Sequence, residues 1–177
     1  MQPKHKIFET KRLILHPVSV EDSEFLFQLM NSPKWLQFVG DKRIRSVRGA
    51  RRLILWKMIP QFQRMGFGNY IIQRKTDLTK IGTCGLFRHE GLDGIDICYG
   101  LLEKYEGHGY AYESVSCLIE VATGELAIKN LYAITTRENF SSQRLLNKIG
   151  LKFKKFIPIP ENDADLFLYK YISDSSL

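Results

Sequence analysis

Residues 95–114 read IDICYGLLEKYEGHGYAYES. The first part, IDICYGLL, is apolar and branched, which predicts a strand. From Tyr110 onward, Tyr110, Val115, Leu118, Ile119 and Ala122 recur at helical spacing, which predicts a helix. Gly107 and Gly109 stand at the junction. A helix N-terminus carries free N–H groups and the positive end of a dipole. Glycine there lets the backbone approach a phosphate without side-chain obstruction. Spacing alone leaves two readings open: a phosphate cradle, or a tight turn that needs positive φ. The Rossmann fingerprint requires a third glycine where Tyr112 stands, and the P-loop pattern occurs nowhere in the chain.

Working outward, RLILHPV alternates and predicts a first strand ending near Pro17. SVEDSEFLFQLMNSP predicts a helix, with Ser19 as N-cap, Asp22 three residues on, and Pro33 just past the end. A second helix is expected from about Ser46 to Gln63, kinked or ended by Pro60. GFGNYIIQRK, IGTCGLFRHE and IDICYGLL then form a three-strand meander with polar turns. After the glycine-led helix, NLYAITT reads as a strand. NFSSQRLLNKIG reads as a helix between a capping Asn139 and a closing Gly150. LKFKKFIPI and ADLFLYKYI finish the chain as strands.

The order is β-α-α-β-β-β-α-β-α-β-β, without linker, repeat or low-complexity tract. The expected fold class is α/β (α+β): a single domain over residues 5–173. A mixed, mostly antiparallel sheet of about seven strands is flanked by about four helices on both faces. Residues 174–177 are expected to be a frayed tail.

The chain has 177 residues, 44% hydrophobic and 25% charged, enough for one domain with a sizeable core. No apolar run approaches the roughly 18 residues of a membrane span, and the N-terminus shows no signal core. Cys84, Cys98 and Cys117 are widely spaced and form no C-x-x-C pair. A disulfide framework, a zinc site or any other metal is not expected, buried filler is favoured over a nucleophile, and a cytoplasmic location fits. The net charge of +7 suits an anionic ligand or partner. Lys42, Arg43, Arg45, Arg48, Arg51, Arg52, Lys57 and Arg64 form a basic stretch with no acid among them, readable as a solvated helix face or as an RNA or ribosome docking surface.

KYEGHGYA resembles the Q/R-x-x-G-x-G/A segment of the GNAT superfamily of acyl-CoA-dependent N-acetyltransferases. ETKRLILHPVSVEDSEFLFQLMNSP, IGTCGL, DICYGLLEKYEGHGYAYES and NFSSQRLLNKIGLKF resemble, in order, segments of the branch that includes the ribosomal-protein N-terminal acetyltransferases. The resemblance implies acetyl-CoA as co-substrate and an amine acceptor, either a protein N-terminus or a small molecule. It implies that Lys104 to Ala111, chiefly Gly107, His108, Gly109, Tyr110 and Ala111, hold the cofactor's pyrophosphate. It further implies that Leu101 and Leu102 pair with the pantetheine arm. Lys104 and Tyr105 stand where this branch usually has Gln or Arg, and often Trp. Arg144 and Lys148 are candidates for the 3′-phosphate, or ordinary exposed charge.

Acetyl transfer from a thioester to an amine requires a neutral amine, donors for the oxyanion, and a donor for the departing thiolate. Asp96 matches a central-strand acid of the family and is the candidate base, with Asp93 and Glu103 as rivals. Backbone N–H groups at Leu101–Leu102 can serve the oxyanion. Asn139 and Ser142 match the Asn-x-x-Ser pair, with the serine near the leaving sulfur; Asn139 can equally be a plain helix cap. A non-catalytic acetyl-CoA sensor is the alternative to an enzyme. The acceptor and the choice of monomer or homodimer are not legible.

Overall fold

The computed structural model describes residues 6–159 and 162–172. Its centre is one sheet in the order β1-β2-β3-β4-β5-β6-β8-β7. The strands are β1 (Phe8–Glu9), β2 (Leu13–Pro17), β3 (Asn69–Arg74), β4 (Lys80–Phe87), β5 (Ile95–Leu101), β6 (Leu131–Thr136), β7 (Leu151–Ile159) and β8 (Asn162–Tyr171). The class is the one expected, with one more strand than the sequence suggested. β1 contributes only Phe8 and Glu9, paired with Leu15 and Ile14, too short for an alternation signal. The expected tail at 174–177 lies outside the described residues.

Alternation explains the strands. In β2, Leu13 and Leu15 are fully buried while Ile14 and His16 are half-buried. Burying one such leucine contributes about 1.5–3 kcal/mol. Ile71, Ile72, Ile81 and Leu86 carry the same core through β3 and β4.

The helices are α1 (Ser23–Met30), α2 (Pro33–Phe38), α3 (Val47–Leu53), α4 (Ile59–Met65), α5 (Tyr110–Glu120) and α6 (Phe140–Lys148). Ser19 and Asp22 form the expected capping box, Asp22 Oδ2 accepting from the Ser19 backbone N–H at 2.8 Å. They lead through a short 3-10 turn into α1. Asp22 is buried and its charge is met by Lys80 at 2.6 Å. The expected second helix is a rod in which α3 and α4 are joined by a π-turn, Ile54–Met58. Pro60 has no N–H to donate into the preceding turn, and the widened turn accommodates that loss. Gly66, at φ 76°, ends the rod.

Helix α2 is a correction. The sequence pattern marks Pro33 only as a terminator. It also starts α2 as an N-terminal proline, its missing N–H falling where no helical partner exists. α2 covers one face of β5: a Cβ on Gly100 would lie 2.8 Å from the Trp35 ring. The opposite face of β5 meets α6, where the Tyr99 hydroxyl pairs with Ser142 Oγ at 2.8 Å. Helices therefore lie on both faces of the sheet.

Candidate active site

The decisive feature is where two neighbouring strands stop pairing. β5 and β6 are parallel and pair only at Ile95↔Leu131 and Asp96↔Tyr132. Both strands continue, β5 to Leu101 and β6 to Thr136, each held on its far side, β5 by β4 and β6 by β8. The sheet therefore parts beyond Asp96. The Leu102 N–H donates to the Ile81 carbonyl at 2.9 Å. By antiparallel alternation, Gly100 also turns its backbone groups to β4, while Tyr99 and Leu101 turn theirs into the gap. Leu102 is a partial correction: its amide is already committed to Ile81, and Leu101 is left facing the gap.

The glycine turn follows directly. Gly107 and Gly109 adopt φ of 76° and 79°, the left-handed region that only glycine enters without strain. Gly109 is the N-cap of α5. Glu113 N–H is the first to bond back, to the Gly109 carbonyl at 3.1 Å. The amides of Tyr110, Ala111 and Tyr112 precede it and have no partner within the helix. Arg12 braces this turn from β2's start. Its Nη1 donates to the His108 carbonyl at 3.0 Å and its Nε to Glu113 Oε2 at 2.7 Å. Thr10 Oγ1 and the Arg12 backbone N–H donate to Glu113 Oε1 at 2.6 and 2.7 Å. Burial alone would raise the Glu113 carboxyl, but these donors together hold it below its usual range.

A groove of about 580 Å³ opens beside Gly109, lined by both charges: Lys11, Arg12 and Lys148 with Glu9, Glu113 and Glu120, beside Tyr112. Lys148 also lies over the Tyr112 ring, 4.7 Å from its centroid. Arg144 is exposed and is not among the groove's lining residues. Lys104 has its ammonium over the Tyr105 ring at 5.0 Å, and His108 stacks on Tyr110.

Asn139 caps α6, its Oδ1 accepting from the Ser142 N–H at 3.1 Å. Ser142 is thus fixed in the first turn, and its hydroxyl meets Tyr99. Burial pushes the Tyr99 phenol well above its usual value, so it stays protonated at neutral pH and able to donate.

On the α2 face of β5 lie Asp96, Cys98 and Gly100, at alternate positions. Asp96 is 5% exposed. Its Oδ2 is 2.9 Å from His89 Nε2, on the loop after β4. Burial raises the Asp96 carboxyl, while His89 and the Ile134 backbone N–H pull more weakly the other way. The hydrogen bond to Asp96 raises His89, opposed by its partial burial and by Lys42. Burial pushes the Cys98 thiol up to about 12, so it is neutral. Sequence reasoning missed His89, Trp35 and Tyr99. Asp93 and Glu103, the rival acids, are not in this group; Glu103 lies 3.5 Å from Lys34 on α2.

Among the described residues, the buried side-chain polar atoms without a hydrogen-bond partner are Trp35 Nε1, Asp96 Oδ1 and Thr136 Oγ1. They sit on α2, β5 and β6, the elements that border the gap. Buried polar atoms of this kind are ordinarily paired with protein, ligand or water.

Residues 12–152 match the family described as acetyltransferase (GNAT) domain. The chain belongs to the GNAT acetyltransferase family. It is an acetyltransferase and uses acetyl-CoA. It is similar to the uncharacterized N-acetyltransferase YoaA of Bacillus subtilis, 25% identical over 150 residues and 82% of each chain. Among solved structures it resembles RimL, a ribosomal L7/L12 α-N-protein acetyltransferase in complex with coenzyme A, with a TM-score of 0.82 at 19% identity, covering 96% of this chain and 99% of that one. An acetyltransferase of Agrobacterium tumefaciens gives a TM-score of 0.80 at 22% identity, covering 95% of each. No helix among the described residues is long and apolar enough to cross a membrane.

Proposed function

We propose that this GNAT enzyme moves the acetyl group of acetyl-CoA to a primary amine by direct attack within a ternary complex. The observation that carries the reading is the parting of β5 and β6 beside the free amides of α5. A pyrophosphate sits on the amides of residues 107–111, helped by the helix dipole. The adenosine end follows into the groove by Lys148 and Arg12. The pantetheine arm enters the gap and pairs with the backbone of Leu101, taking the place of the missing strand. An N–H of the same strand serves the oxyanion.

The amine nitrogen attacks the thioester carbon from the α2 face, and the C–S bond breaks. Tyr99 donates to Ser142 Oγ, and Ser142 donates to the departing thiolate. Asp96 supplies the negative charge that draws the amine's proton away. An α-amine, with a pKa of about 8, is roughly a tenth neutral at pH 7, whereas a lysine amine near 10.4 is almost wholly charged. An α-amine, of a peptide or a small molecule, is therefore the acceptor least demanding of a base. Holding the two reactants together supplies much of the rate.

The test is a thermal unfolding scan with acetyl-CoA, and with NAD and ATP as controls. At about 100 times its Kd, acetyl-CoA adds about 2.7 kcal/mol of stability. A shift selective for acetyl-CoA, followed by free-thiol release with a panel of free α-amines, supports the reading. No shift at millimolar acetyl-CoA overturns the assigned cofactor site.

A further inference from the structure

Asp96 is a poor terminal acceptor for a proton. It is buried, its Oδ2 is already held by His89, and no other described side chain hydrogen-bonds it. His89 has the complementary properties. Its side chain is 52% exposed, and its Nε2 faces the carboxylate. An ionised carboxylate accepts from Nε2–H, which leaves Nδ1, on the other side of the ring, as the basic nitrogen.

We propose that His89 is the general base of the transfer and that Asp96 positions it. The inference rests on the proposed acetyl transfer. An N–H of the incoming ammonium gives its proton to His89 Nδ1, leaving a neutral amine and an imidazolium. The neutral amine then attacks the thioester carbon; as the C–S bond breaks, the second proton of the attacking nitrogen passes to the departing thiolate, which leaves as the coenzyme A thiol. Asp96, at 2.9 Å from Nε2, compensates the imidazolium charge. The exposed imidazolium then returns its proton to solvent. The charged groups that act on His89 are Asp96 from β5 and Lys42 from the segment between α2 and α3, which works against protonation. An imidazole held above its ordinary 6.5 matches an amine titrating near 8 better than a free carboxylate does.

The experiment compares wild type, His89→Ala, His89→Gln and Asp96→Asn, using acetyl-CoA and a panel of free-α-amine tetrapeptides, with kcat/KM followed across pH. His89→Ala is expected to lose about 10²–10³-fold, the scale of general-base catalysis, and to recover in part with added imidazole. His89→Gln keeps a donor toward Asp96 and is expected to lose the acidic limb of the profile. Asp96→Asn is expected to move that limb to lower pH. The acetyl-CoA thermal shift is expected to survive in all three. Full activity and an unchanged limb in His89→Gln, or a loss in His89→Ala that imidazole does not relieve, overturns the role of His89. A wild type that turns over none of the amines despite binding acetyl-CoA overturns the transfer to α-amines itself, and His89 with it.

Discussion

Asp96, proposed here as a positioning residue, is held at the expense of the fold. Its carboxyl is raised above the ordinary 3.8 by burial, and His89 is raised above 6.5 by its bond to Asp96. Both shifts mean that the folded state binds more protons than the unfolded chain. The stability tied to this pair is therefore present below the ordinary values and falls as pH rises through the folded ones. Asp96→Asn removes both shifts. Its unfolding midpoint, relative to wild type, is expected to climb as pH rises from about 4 through and beyond 6.5, with each kcal/mol worth about 2–4 °C in a chain of this size. Parallel midpoints for the two proteins across that range would show that the pair does not titrate as argued. A substitution that stabilises while it lowers activity is the usual mark of a functional group held in an unfavourable place.

At the scale of elements, the cofactor role proposed for the turn into α5 rests on backbone alone. A Cβ at Gly107 would meet nothing within 4 Å, so any effect of Gly107→Val comes from the backbone. A left-handed conformation costs an L-residue roughly 1–2 kcal/mol, and relief of that strain turns the amides away from the phosphate. The variant is expected to stay folded and lose its acetyl-CoA thermal shift; an intact shift would refute the cradle. The turn was legible because glycine's requirement for positive φ is local. So was the Asn139 cap, three residues from the amide it holds. α2 was not legible, because a proline ends one helix and begins another with the same letter, and only Trp35 packing on Gly100 decides between them.

For the molecule as a whole, the gap between β5 and β6 is an unfinished sheet. Among the described strands, β5 finds β4 on one side and only a brief contact with β6 on the other. If pantetheine completes the pairing, amide hydrogen exchange at Leu101 is expected to slow on adding acetyl-CoA. Gly100 and Leu102, whose amides face β4, are expected to be protected with or without it and act as internal controls. Unchanged exchange at Leu101 in the presence of bound cofactor would place the arm elsewhere.

By itself the sequence determined the strand and helix order apart from β1 and α2, the left-handed turn at Gly107 and Gly109, the cap at Asn139 and the family resemblance. Each but the last depends on spacing within a few residues, where backbone geometry and alternation act directly. The tertiary structure decided which atoms remain unpaired and which groups share a proton. His89 reaches Asp96 because the β4–β5 hairpin sets Phe87, two residues before His89, opposite Asp96, and Tyr99 reaches Ser142 because α6 packs on β5. Leu102 looked equivalent to Leu101 until pairing with Ile81 committed one amide and left the other to the gap. Hydrogen bonding between distant segments is settled by the packing of the whole sheet, and no local pattern of residues encodes it.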